Sequence, residues 1–494
     1  MTSALATLGR TAEESELLAS LAAGIERLAR AEIRPLRIDR ERRIPTAVLS
    51  ALAEMGLFGL SIPEAYGGSG LSMQGVCAAV ATLARFDRSV ATTVGLQLGL
   101  GTRGLVAFGA EELKGALLPE LAAGRAIAAF AATEAGAGSD LSAIRTTAVE
   151  EPPGGLRVEG SKIYVTNGAL ASVFTVLAST PGLGGARRGH SLIVLRRSDP
   201  GVSTAGEEEK LGLRGSSTTG LQMDDARVPL GRVLGTPGRG MDHAAHVLAW
   251  GRTAMSAGCV GAARAALELT SAHVATRRQF GRPLAAFEVV RAQLADAAAI
   301  AFAMEALVRA TCELEGRPEE LAMRSIAAKV FCSEGDWEIC DLAVQLHGGA
   351  GFIEDTGVAL LLRDARITRI FEGANDVLLA AHGGFAAASP PVRAPLDAPA
   401  ADALAASIAA LRAHLRDRFG VRLMAQQRQL HRLGRLAVLS EAADAAVRRA
   451  AAEDTAGARA LAAHWVEMAR RRAAPLLEEI EPIEAIDAAL RSAP

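Results

Sequence analysis

The sequence predicts a mainly helical α+β protein built from four segments. These are an N-terminal helical domain over residues 1–125, a small antiparallel β-domain over 126–240, a C-terminal helical bundle over 241–386 and a helical appendix over 401–494. Three observations predict it. Helical hydrophobic spacing fills both ends of the chain, period-two alternation is confined to the middle, and prolines crowd a Pro/Ala-rich linker, 387–400.

In the N-terminal segment, Leu17, Leu21, Ile25 and Leu28 recur at helical spacing, and Pro35, Pro45 and Pro63 punctuate the connections. From about residue 126 the texture changes. Leu156–Thr166 alternates, Val173–Ala178 and Ser191–Leu195 are β-rich runs, and Gly182–Gly189 reads as a surface loop between them. Gly220–Asp224 closes the β-domain. Helical periodicity returns with Ile326, Val330, Trp337, Cys340 and Val344 on one stripe, which Gly348 and Gly349 stop. Pro390, Pro391, Pro395 and Pro399 mark the linker, and Leu404, Ile408, Leu411 and Leu415 form a stripe in the appendix.

Composition excludes several classes. Lys and Arg number 53 against 55 Asp and Glu, a balance that argues against a dedicated nucleic-acid binder. Cys77, Cys259, Cys312, Cys332 and Cys340 show neither CxxC pairing nor metal-ligand spacing, so they read as buried small hydrophobes in a reducing compartment and no metal is expected. Glu13, Glu14 and Glu16 argue against a transit peptide, and no run of eighteen apolar residues is present. A cytoplasmic protein is the expectation.

The chemistry concentrates in Arg369-Ile370-Phe371-Glu372-Gly373-Ala374-Asn375-Asp376, a carboxylate between an aromatic and a glycine, after the cationic Arg363, Arg366 and Arg369. Apolar neighbours desolvate such a carboxylate and raise its proton affinity toward that of a general base. Three further motifs accompany it. Thr133–Asp140 is a glycine-rich turn able to present backbone N–H groups to a ring edge or a phosphate. Gly160–Gly168 is an alternating strand closed by an Asn-Gly turn. Arg277–Pro283 is a basic helix end that could hold a pyrophosphate or simply be solvated. A literal GxGxxG at Gly99–Gly104 lies in a helical region without a preceding strand, which excludes a nicotinamide fingerprint. His347, before two glycines, reads as a helix-end side chain.

In this order and spacing the motifs resemble the acyl-CoA dehydrogenase family, from about residue 40 to 385, and within it most of all the very-long-chain enzymes, which also carry a helical appendix. The matching stretches are Ala128–Thr147, Gly251–Gly261, Ala328–Gly351 and Arg363–Leu379. The resemblance implies FAD as cofactor. It puts Phe130, Ala132, Thr133, Gly138 and Ser139 along the flavin, Tyr164, Val165 and Thr166 near its ring, and Ala374, Asn375 and Asp376 near its phosphates or ribose. It sends Arg277, Gln279, Phe280, Phe287, Gln345, Leu346, Gly348 and Gly349 toward the FAD of a neighbouring subunit, hence a homodimer or a higher homo-oligomer. Glu372 falls on the family's catalytic base. Ser139, Arg252, Gly373, Gly101 and Gly104 fall on the substrate side, the last two as glycines that leave the acyl pocket open or, equally, as close-packing glycines. Arg252 either orients Glu372 or serves an inter-helix salt bridge.

Three positions depart from the family pattern: Ala135 for a proline, Ala374 for a threonine and Glu288 for a glutamine. The reaction the resemblance implies is α,β-dehydrogenation of long-chain acyl-CoA, with electrons passed to an electron-transfer flavoprotein. An oxidase on the same fold, a dehydrogenase of carrier-protein-bound chains and a non-enzymatic binding relative are the competing readings. For the appendix, peripheral contact with the inner membrane face and a purely packing role stand side by side.

Overall fold

Helices begin where a short polar side chain can catch an orphan N–H. Ser72 accepts from the Gly75 N–H at 3.3 Å, Asp87 from Val90 at 2.8 Å and Thr455 from Ala458 at 3.1 Å. The computed structural model describes residues 12–185, 189–388 and 398–478. The linker residues Pro390, Pro391 and Pro395, the first eleven residues, a portion of the loop Gly182–Gly189 and the last sixteen residues of the appendix lie outside the described residues.

The chain divides into two compact units, Met1–Leu378 and Leu379–Pro494. The first opens with α1 (Ala12–Glu32), α2 (Pro35–Glu41), α3 (Thr46–Glu54), α4 (Met73–Ala84), α5 (Arg88–Leu96), α6 (Arg103–Phe108) and α7 (Glu111–Ala122). In α1 the buried stripe is Leu18, Ala22, Ile25 and Ala29, and Ile33 extends it just past the helix end. Leu17 is half exposed, so of the four expected core positions only Ile25 is fully buried. Alanines fill that stripe, and a reading that counts large residues alone misplaces it by one position.

Strands follow: β1 (Ala128–Ala131), β2 (Thr147–Glu151), β3 (Gly155–Thr166), β4 (Val173–Ser179), β5 (His190–Arg196), β6 (Val202–Glu207), β7 (Thr218–Pro229) and β8 (Val233–Leu234). They form one sheet in the order β6-β7-β3-β2-β4-β5-β8, with β1 on β4. The pairing is antiparallel except for β1 with β4 and β2 with β4, which run parallel. β4 is buried on both faces. Val173 and Leu177 join the helical core with Leu118, Leu121 and Val247, while Phe174 and Val176 join the opposite face with Val158, Leu195 and Leu221. The Asn167-Gly168 turn does not close a hairpin, because β3 pairs with β2 and β7 rather than with the strand that follows it. Asn167, at φ 65°, instead donates its side-chain N–H to the Thr93 carbonyl at 3.0 Å and ties the sheet to α5.

The helical bundle comprises α8 (Gly240–Thr276), α9 (Glu288–Cys312), α10 (Pro318–His347), α11 (Gly349–Phe352), α12 (Val358–Thr368) and the start of α13 (Asn375–Ala388). A two-strand ribbon, β9 (Arg278–Gln279) and β10 (Arg282–Pro283), lies between α8 and α9. α8 passes close to the earlier helices because glycines permit it: a Cβ at Gly99 would meet the Gly251 Cα at 3.2 Å. The second unit holds the rest of α13 with α14 (Pro399–Phe419), α15 (Gln427–Glu453) and α16 (Ala456–Leu477), the last three packed on one another. Leu404, Leu411 and Leu415 are spent on this bundle's interior beside Leu433, Leu436 and Trp465. Among the described residues no helix is long and apolar enough to cross a membrane, and no cluster of His, Cys, Asp and Glu could hold a metal.

Candidate active site

The loop after α12 turns back on itself through two residues with positive φ, Glu372 at 55° and Gly373 at 105°. A glutamate in that region costs about 1 kcal/mol or more, so the surroundings must hold it there. Arg252 on α8 donates Nε–H to the Glu372 carbonyl at 2.9 Å. Lys329, fully buried on α10, donates to the Gly373 carbonyl at 2.8 Å and to Asn375 Oδ1 at 2.7 Å. Asn375 in turn donates its backbone N–H to the Arg369 carbonyl at 3.1 Å and its amide to Ser333 at 2.9 Å and Glu334 at 2.7 Å. The strained turn is thus pinned from two helices, α8 and α10.

The Glu372 carboxyl is held but not satisfied. Its Oε2 is shielded from solvent and has no hydrogen-bond partner, and a Cβ at Gly251 would stand 2.9 Å from it. Glycine at 251 therefore makes the space the carboxyl occupies. Burial pushes this carboxyl up to about 7, against the pull of the Arg252 and Lys329 charges. Burial likewise lowers Lys329 to about 8. No hydrogen-bond partner is found for the Glu372 backbone N–H among the described residues.

The carboxyl faces a cavity of about 770 Å³. Its sheet-side wall is Phe130, Ala132, Thr133, Gly138, Ser139, Tyr164 and Thr166, and Gly373, Ala374 and Arg252 line it beside Glu372. Tyr164, at φ 57°, presents its ring to the open side and is 63% exposed. An ion pair missed in the sequence holds this wall. Lys162, buried, reaches Glu134 at 2.8 Å and the Ala132 carbonyl at 3.1 Å, and Glu134 accepts from the N–H groups of Arg145 and Thr146. Those donors hold Glu134 down at about 2. The available signal was a lysine on the inward side of an alternating strand.

Other expected site residues lie elsewhere. Val165 is buried in the opposite face of the sheet. Asn375 is consumed by Lys329, Ser333 and Glu334, so it braces the loop rather than facing a cofactor phosphate. Asp376 is exposed and does not line the cavity. Gly101 and Gly104 do not open the pocket: a Cβ at Gly101 would strike the Ala128 carbonyl at 2.9 Å, and one at Gly104 would meet Leu234 at 3.3 Å. Both are close-packing glycines. The glycines that do line the cavity are Gly95, Gly138, Gly212, Gly251, Gly258 and Gly373.

Arg277, Gln279, Phe280, Phe287, Gln345, Leu346, Gly348 and Gly349 form a second group away from the cavity. The ends of α8 and α10 meet there, with His273 stacked on His347 at 4.1 Å. Phe280 and Gly281, at φ 50° and 79°, make the two-residue turn between β9 and β10, and the Phe280 ring is 92% exposed.

Three family models cover most of the chain: "Acyl-CoA dehydrogenase, N-terminal domain" over residues 13–125, "middle domain" over 129–226 and "C-terminal domain" over 238–383. The acyl-CoA dehydrogenase of Bacillus subtilis is 36% identical over 352 residues, 71% of this chain and 92% of that one. The mitochondrial very long-chain specific acyl-CoA dehydrogenase of Mus musculus is 33% identical over 372 residues, 74% of this chain, and the match spans only 57% of the mouse protein. The crystal structure of an acyl-CoA dehydrogenase complexed with FAD from Bacillus anthracis matches with a TM-score of 0.82 at 27% identity, over 99% of this chain and 93% of that one.

Proposed function

The chain belongs to the acyl-CoA dehydrogenase family, and from that premise we propose that it dehydrogenates acyl-CoA thioesters between the α- and β-carbons, with FAD as cofactor and Glu372 as base. One observation carries the proposal: a shielded, unpaired carboxyl raised to about 7 at the wall of a large cavity.

The residues present suit a flavin. Opposite Glu372 stand two aromatics, Phe130 and Tyr164, the hydroxyls of Thr133, Ser139 and Thr166, and Gly138, whose missing side chain admits a flat ring. FAD, when bound, supplies the hydride acceptor. The protein's own role is proton removal and charge placement. Glu372 takes the α-proton, and a carboxyl poised near neutrality is a better base than one of ordinary affinity. Its backbone N–H is free to donate to the thioester oxygen, where negative charge gathers as the proton leaves. Arg252 and Lys329 hold that N–H and the carboxyl in one geometry through the two loop carbonyls. Ala374 carries no hydroxyl, so the cofactor contact its family counterpart offers is absent.

Gly101 and Gly104 no longer argue for very long chains, since neither lines the cavity. The proposal is therefore acyl-CoA of a length set by the cavity itself. An electron-transfer flavoprotein is proposed as acceptor and a homodimer as the working form, the exposed Phe280 turn supporting the latter.

Anaerobic titration of the purified protein with acyl-CoAs of increasing length tests the reading. Bleaching of bound flavin is expected, and its absence with every acyl-CoA overturns the proposal.

A further inference from the structure

We propose that the buried ion pair of Arg88 and Asp336 closes the distal end of the acyl cavity and sets the upper limit of acyl chain length. The inference rests on the acyl-thioester reading above. From Glu372 the cavity runs between α4, α5 and α8. Its near end is fixed by Gly251, beside the Glu372 carboxyl, with Leu100 packed against it. Moving away from that point, Met255, Gly258 and Cys259 line it from α8, and Leu96, Gly95, Thr92 and then Arg88 line it from α5. The two helices thus run in opposite directions along one lumen. Cys259 lies eight residues past Gly251, about 12 Å along the helix at ~1.5 Å per residue.

The lumen is kept open by small side chains. A Cβ at Gly95 would come 3.4 Å from Val80, and one at Gly258 would come 3.6 Å from the same side chain. Beyond them the chemistry changes abruptly. Arg88 binds Asp336 on α10 through both terminal nitrogens, at 2.6 and 2.5 Å, with the Cys340 sulfur 3.4 Å away. Cys259, whose thiol donates to Met255 Sδ at 3.5 Å, neighbours Asp336, which places the pair at that end of the lumen. Arg88 is 6% exposed and Asp336 is 0%.

A methyl terminus gains by burial against apolar wall but gains nothing by pushing into a paired guanidinium. To pass, it would have to separate a pair of buried charges, which costs more than several methylenes return. The acyl chain therefore stops at the pair. Apolar or small residues at 88 and 336 would let the lumen continue.

The test uses the FAD-loaded full chain, a trans-2-enoyl-CoA series of increasing length for calorimetric binding and the matching saturated acyl-CoA series for turnover. In the wild type, affinity and kcat/KM should climb about fourfold per added methylene and then break off sharply. The double variant Arg88→Ala with Asp336→Ala should carry both climbs at least two carbons further. Should that variant not yield soluble protein, Arg88→Met with Asp336→Ala replaces it, with the same direction expected. Length profiles that superimpose on the wild type in whichever variant folds overturn the ceiling while leaving the dehydrogenase reading intact. A wild type that turns over acyl-CoA without any break up to the longest chain also overturns it. Failure of every acyl-CoA to bind or react removes the reading and the ceiling together.

Discussion

At the residue scale, the chemistry turns on how much it costs to ionise Glu372. The group must be deprotonated to act, so kcat/KM should rise with pH to a plateau through about 7. Glu372→Gln should bind flavin and fold yet reduce it at least 1000-fold more slowly. Its stability carries a second, separable signature. The folded-state value lies above the ordinary one of 4.5, so the native state holds the proton more tightly than the unfolded chain does. That contribution is full below about 4.5 and is lost as pH rises through about 7. Glutamine cannot ionise, so Glu372→Gln should melt a few degrees above wild type at pH 8 and coincide with it at pH 4.5. A variant less stable than wild type at pH 8 would show that the carboxylate is not desolvated.

Lys329 makes a companion case. Its charge pulls the Glu372 carboxyl down while its hydrogen bonds hold the loop. Lys329→Met should therefore lower kcat by roughly 10- to 100-fold, as expected for a misplaced base. It should also move the rising limb of the pH profile upward. A purely structural lysine would lower the yield of folded protein without moving that limb. Glu372 itself was legible, because a carboxylate flanked by phenylalanine and glycine is visible in eight letters. Lys329 and Lys162 were not. A lysine inside an apolar period looks like a surface break until the acceptor, 28 or 44 residues away, is seen.

At the scale of elements, glycines show what sequence cannot separate. Gly101 and Gly258 both sit among small residues on helices, yet one abuts a strand carbonyl and the other faces the lumen. The difference lies in which neighbour the fold brings up, and no local pattern encodes that. The two kinds should respond differently to the same change. Gly258→Leu fills the lumen, so we expect retained activity on short acyl-CoAs and a loss of about fourfold for each methylene displaced from longer ones. Gly104→Leu overpacks Leu234, Val247 and Thr175, so we expect destabilisation of about 1–3 kcal/mol in denaturant melts with the length preference unchanged. A shift in length preference from Gly104→Leu would restore that glycine to the acyl site. The helical–sheet–helical order was legible for the opposite reason. Period-two runs such as Leu156–Thr166 and the stripe on α10 recur within a single element and need no partner to be read. The parallel pairing of β1 with β4 and the register of α1 depend on contacts across elements, and there the sequence was silent or off by one.

At the scale of the whole molecule, the remaining question is what covers the joined ends of α8 and α10. Phe280 is 92% exposed at the tip of a tight turn, Phe352 83%, Val289 64% and Ile353 57%, and none of them is used by the chain's own core. These exposed apolar side chains, from the β9–β10 turn, the start of α9 and the end of α11, suit a surface that a second subunit would cover. Arg277 stands beside them with its guanidinium in solvent. If this face reaches a second subunit and helps hold its flavin, assembly and cofactor retention are linked, and each stabilises the other by mass action. The wild type should then sediment as a dimer or larger. Phe280→Asp, which places a charge where an apolar contact is made, should shift it toward monomer and release flavin in proportion. Arg277→Ala should weaken flavin retention while the assembly persists, because it removes one charged contact and leaves the apolar ones. Flavin content measured against protein dilution separates the two. Linked assembly requires content to fall as dimers dissociate, whereas a monomer that keeps its full complement of flavin would place the whole cofactor site within one chain and leave Phe280 without this role.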